Sequence, residues 1–196
     1  MALRKIVYEE DSLLRKQSRE VKEINARIKT LIEDMWETLY EANGVGLAAP
    51  QVGVLRRVVV IDTTPPLEED DEDEGDDEES NLDEVGNKDV AEEEPGEPPL
   101  PQKYTLINPE IVWSAEEIIC GNEGCLSVPG RIATVERFER VRVKALDEEG
   151  VPFEIEADGL LAKALQHEID HLKGVLITDI ATEIEDLRER AEKSDD

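Results

Sequence analysis

Only two cysteines, Cys120 and Cys125, occur in 196 residues, too few for a disulfide scaffold. Aromatic residues make up 4% of the chain, and no apolar run approaches the length of a membrane span. Met1–Tyr8 (MALRKIVY) lacks the apolar core of a secretory signal, so the expected location is the reducing cytoplasm. Lys and Arg number 22 against 50 Asp and Glu, and the resulting charge of −28 disfavours nucleic acid or anionic lipid as partners. Histidine is scarce too: His167 and His171 are the only two.

The acidity is concentrated. Leu67–Pro101 holds 18 Asp or Glu and one Lys, a charge of −17, leaving −11 on the other 161 residues. Self-repulsion and a shortage of apolar groups predict a disordered, solvated insertion at 67–101 within a single domain spanning 1–196. Ile24–Tyr40 carries apolar residues at helical spacing, with Asn25 as N-cap and Asn43-Gly44 as its stop. Val54–Asp62 (VLRRVVVID) reads as a strand, as do Tyr104–Ile107, Ile111–Trp113, Glu117–Cys120, Arg137–Leu146 and Phe153–Glu156. Asp158 caps a second helix running to about Leu172, with Gly174 beyond its end, and the charged tail Thr178–Asp196 reads as helical. Helices and strands without strict alternation predict an α+β fold, not a doubly wound sheet.

That second helix contains His167-Glu168-Ile169-Asp170-His171, an H-E-x-x-H pattern. Residues four apart lie one above the other, so both imidazoles can converge on one divalent ion while Glu168 takes a proton from a water activated there. Leu161, Leu165, Ile169 and Leu172 anchor the helix in a core; Leu160, Ala164, His167 and His171 form the neighbouring stripe. An open catalytic site needs a third protein ligand. Extending the motif to a third His fails, because position 177 is Ile177. Glu183, Glu185, Glu189 and Glu192 lie in the tail, as a metallopeptidase would require; Cys125, in Glu123-Gly124-Cys125-Leu126-Ser127, offers a thiolate. Cys120 reads as a packing residue. A separate reading, an interaction protein acting through its acidic stretch, is disfavoured as a calcium loop by the absence of regular ligand spacing.

Three segments together resemble the peptide deformylase family: Gly44–Gln51 (GVGLAAPQ), Glu123–Ser127 (EGCLS) and Gln166–Gly174 (QHEIDHLKG), in the family's order. The similarity continues in Ile107-Asn108-Pro109 and in Glu156–Leu161 (EADGLL). The resemblance implies small antiparallel sheets packed around a central metal-binding helix, and a hydrolase that removes the formyl group from the N-terminal formyl-methionine of new polypeptides. Cys125, His167 and His171 would hold the metal, and Glu168 would serve as general base and then acid. Gln51 and the Leu126 N–H would form the oxyanion hole, and Gly46 and Gly124 would meet the substrate backbone. Val45, Leu160 and Ala164 would line the methionine pocket. A Cys and two His favour Zn²⁺ on ligand preference; the resemblance implies Fe²⁺, with Zn²⁺ or Ni²⁺ able to substitute. Some family members dock on the ribosome through a basic C-terminal helix. Thr178–Asp196, with 8 acidic and 3 basic residues, argues against that mode. A monomer in transient proximity to the ribosome is the expectation.

Overall fold

A computed structural model of the chain describes residues 2–64 and 103–187. Helix α1 (Ala26–Glu41) begins where Asn25 Oδ1 accepts from the Arg27 and Ile28 amides, and ends as Asn43 takes a φ of 50°. Two antiparallel sheets follow. The larger has the order β1 (Gly46–Ala48), β2 (Val58–Asp62), β3 (Lys103–Ser114), β6 (Val141–Leu146), β7 (Pro152–Ala157). The smaller has the order β4 (Ile118–Gly124), β5 (Arg131–Phe138), β8 (Glu183–Asp186). Helix α2 (Gly159–Lys173) and the short α3 (Ile177–Ile180) complete the described elements.

Why β2 reads VVVID becomes clear from what covers it. Val58 and Val60 pack with Ile28, Leu31, Ile32, Met35 and Leu39 of α1, while Val59 and Ile61 pack with Leu161, Leu165, Ile169 and Leu172 of α2. Successive strand residues face opposite sides, so a strand covered on both must be apolar throughout. The α+β architecture is as expected. A third small core of Val128, Ala133, Val135 and Ile177 lies beside Cys125.

Several boundaries differ from the sequence reading. β2 starts at Val58, because Gly53 turns left-handed (φ 80°) and Val54–Arg57 carry the chain back to the sheet. Tyr104–Ile107 and Ile111–Trp113 are parts of one strand, β3. Asn108-Pro109 makes an irregularity within it, held by the Asn108 amide bonding the Val21 N–H (2.8 Å) and carbonyl (2.9 Å). Arg137–Leu146, expected as one strand, splits at Glu139-Arg140 between β5 and β6, in different sheets. The tail is not helical throughout: after α3 it forms β8, paired with β5. Cys120 is exposed, not packed, because alternate β4 side chains face solvent and Cys120 is one of them. Of the stretches read from sequence, 67–101 and 188–196 lie outside the described residues. The former connects neighbouring antiparallel strands, since Asp62 and Lys103 are register partners.

Candidate metal centre

Helix α2 holds its chemistry in place from both sides. Its apolar stripe packs on the large sheet, and Gln166 fastens it to β5 by accepting from the Phe138 N–H (3.0 Å) and donating to the Phe138 carbonyl (2.9 Å). Asp158 occupies the N-cap position without a side-chain capping bond, and Gly174 ends the helix at φ 80°. His167 and His171 are buried, and their Nε2 atoms lie 3.2 Å apart. Cys125 Sγ, arriving just past β4, lies 3.3 Å from His171 Nε2. The three donor atoms all fall within 4.8 Å of one another. Bonds of about 2.0–2.3 Å in tetrahedral geometry separate ligand atoms by roughly 3.3–3.8 Å, so the cluster has the dimensions of a Cys-His-His metal site with a corner left open. Glu183 and Glu185, the described tail candidates for third ligand, are exposed strand residues outside this group.

The proton positions follow from the surroundings. Burial opposes ionisation of Glu123, but hydrogen bonds from Arg137 and His167 overcome it and lower its pKa to about 2. As an ionised carboxylate it can only accept, so His167 Nδ1 donates to it (2.9 Å) and Nε2 is the nitrogen turned towards Cys125 and His171. Burial also disfavours charge on His167, yet Cys125 and Glu123 more than offset this and raise its pKa well above the usual value. A divalent cation meets the same demand by taking the place of the Nε2 proton. Burial, reinforced by His167, drives the His171 pKa well below normal, which keeps it a neutral ligand.

Glu168 is buried, and desolvation pushes its pKa up to about 7. Its Oε2 has no hydrogen-bond partner among the described residues. A carboxyl held near neutrality is suited to take and return a proton. Gln51 is buried as well, in a short turn after β1; its Oε1 accepts from the Ala48 N–H (2.8 Å), which turns Nε2 towards Cys125 Sγ (3.7 Å) and Ser127 Oγ (3.2 Å). The Leu126 N–H meets no acceptor among the described residues. A cleft of about 480 Å³ opens over this cluster, with Val45 and Gly46 on one side, Gly124 on the other, and Leu160 and Ala164 beside His167. Both walls are edge strands, β1 and β4.

Comparison with known proteins assigns the family. The polypeptide deformylase family matches residues 3–186. The chain belongs to that family. It is 42% identical to the peptide deformylase of Symbiobacterium thermophilum, covering 100% of this chain and 75% of that one. It is also 42% identical to peptide deformylase 1 of Clostridium perfringens, over 91% and 98% respectively. Among solved structures, a peptide deformylase from Legionella pneumophila superposes with a TM-score of 0.72 at 40% identity, covering 99% of this chain and 94% of that one. One from Synechococcus elongatus in complex with actinonin gives 0.71 at 35% identity, covering 97% and 85%. Deformylases are metal-dependent and remove N-formyl groups from nascent peptides.

All eleven site residues named from the deformylase resemblance line or adjoin this one cleft. Sequence reasoning missed four that act on them. Glu123 lay inside a quoted motif without a role, and its strand spacing from Cys125 was the available signal. Ser127, fully buried against Gln51, gave none. Arg137 and Asp170 come from elements that meet only in the folded chain. No helix of the described residues is long and apolar enough to cross a membrane.

Proposed function

We propose that the chain removes the formyl group from the N-terminal formyl-methionine of newly made polypeptides, with Cys125, His167 and His171 holding one divalent metal. The convergence of those three donor atoms beneath Glu168 carries this reading. When bound, the metal supplies Lewis acidity, acidifying a water and polarising the formyl oxygen. Glu168 accepts the proton of the attacking water and delivers it to the departing amine, so one water and one formamide become formate and a free N-terminus. The Gln51 amide and the Leu126 N–H face the oxygen that gains charge in the transition state. Gly46 and Gly124, on the facing edges, let the substrate backbone come close, and Val45, Leu160 and Ala164 receive the methionine side chain. Fe²⁺ is the expected ion, with Zn²⁺ or Ni²⁺ able to replace it.

The same reading has a single catalytic domain at work in the cytoplasm as a monomer, near the ribosome only in passing, without binding nucleic acid or membrane. Its charge of −28 supports the last of these. The test is formate release from a formyl-methionyl peptide, assayed anaerobically. Turnover should vanish with a chelator, return with Fe²⁺, and be lost with the metal in Cys125→Ala. Turnover by metal-free protein, or metal retention by Cys125→Ala, would count against it. Air should depress the iron form, since a thiolate ligand is open to oxidation.

A further inference from the structure

Arg137 stands on β5, which supplies no ligand, yet it touches both elements that do. Its side chain is 6% exposed and makes three charge-assisted bonds. Nε and Nη2 donate to the two Glu123 oxygens at 2.8 and 3.0 Å, and Nη1 donates to Asp170 Oδ2 at 2.6 Å. Glu123 lies on β4, two residues before Cys125, and Asp170 lies on α2, one residue before His171. Glu123 Oε2 also accepts from His167 Nδ1. One planar fork therefore ties the strand that delivers the sulfur to the helix that delivers both imidazoles. We propose that Arg137 is a positioning residue for the metal centre, holding Glu123 and Asp170 at once and thereby setting the approach of Cys125 Sγ to the His167–His171 pair. The inference rests on the ligand set proposed above.

A guanidinium is suited to this and an ammonium is not: its donors are fixed in a plane and can serve two carboxylates in different directions. Neutralising Glu123 alone is a lesser task, which a lysine could perform. The geometry also gives Asp170 a role, since its Oδ2 anchors the fork on α2.

The test titrates metal-free wild type, Arg137→Met, Arg137→Lys and Asp170→Asn with Co²⁺ against a competing chelator. The thiolate charge-transfer and d–d bands of cobalt report sulfur ligation and tetrahedral geometry, and circular dichroism checks the fold. Arg137→Met should bind Co²⁺ about 10–100-fold more weakly, with a reduced thiolate band. Arg137→Lys should recover part of the loss, and Asp170→Asn should shift the d–d bands with a smaller loss. Wild-type binding and bands in folded Arg137→Met, full recovery in Arg137→Lys, or an unaltered Asp170→Asn would each overturn the clamp. Should Arg137→Met fail to fold, Glu123→Gln/Arg137→Met removes the unpaired carboxylate while keeping an acceptor for His167 Nδ1. Wild-type cobalt binding there overturns the proposal, and a loss of about tenfold or more supports it. None of these readouts uses turnover, so a wild type that binds Co²⁺ through Cys125 but releases no formate counts against the proposed activity alone.

Discussion

At position 46 the absence of a side chain has a specific use. A Cβ there would lie 2.5 Å from Glu168 Oε1 and 2.9 Å from its Cγ, so Gly46→Ala has to push the carboxylate aside. The obstacle is a side-chain end, which can rotate, and the fold should survive. The catalytic geometry should not. A displacement near 1 Å costs on the order of 10²-fold in rate, so kcat/KM should fall by about that much while melting temperature and metal content hold. Unchanged kcat/KM would show that Glu168 has slack the packing does not reveal. Glu168→Gln removes the proton acceptor without changing shape, and its kcat should drop by about 10²–10⁴-fold with metal still bound. Loss of metal in that variant would mean that Glu168 supports the ligands instead of moving a proton.

At the scale of elements, the N-terminal residues Ala2 and Arg4 and helix α1 are joined through one buried carboxylate. Asp34 accepts from the Ala2 N–H (2.7 Å) and from Arg4 Nε (3.1 Å), while the Arg4 N–H donates to Thr38 on the next turn (3.0 Å). Burial alone would raise the Asp34 pKa, but the bonds from Ala2 and Arg4 outweigh it and leave it below 3.8. A folded-state pKa below the unfolded one stabilises fully above the unfolded value and is lost as pH falls through the folded one. Asp34→Asn should therefore lower the melting temperature at neutral pH, and the gap from wild type should close below about pH 4. A gap independent of pH would assign the effect to shape, not charge. The same scale decides what the sequence discloses. Helices α1 and α2 are legible because each buries one stripe, and the metal ligands on α2 follow from local spacing alone. β5 and β6 merge when read from sequence, since Glu139-Arg140 turns the chain without Gly or Pro. β8 is invisible because its exposed Glu183–Glu185 carry no pattern; backbone pairing to β5 holds it. Arg137 is hidden for a related reason: its partners are assembled from β4 and α2 only by folding.

For the whole molecule, the open matter is what 67–101 contributes. It carries −17 of the total −28, yet it connects β2 to β3, whose ends are already in register at Asp62 and Lys103. Those ends are fastened without it: Tyr40 donates to Asp62 (2.9 Å), and Lys103 Nζ sits 4.3 Å from the Trp36 ring centre. The described residues supply all three proposed ligands and both walls of the cleft. Replacing 67–101 by a short Gly-Ser turn should then leave turnover on a formyl-methionyl peptide unchanged. If the stretch contributes no packing, a loop about five- to sixfold shorter lowers the entropic cost of closing the hairpin by roughly 1.5 kcal/mol. For a chain of this size that raises the melting temperature by about 3–6 °C. A fall in melting temperature would reveal contacts made by the acidic stretch, and a fall in turnover would tie it to the cleft.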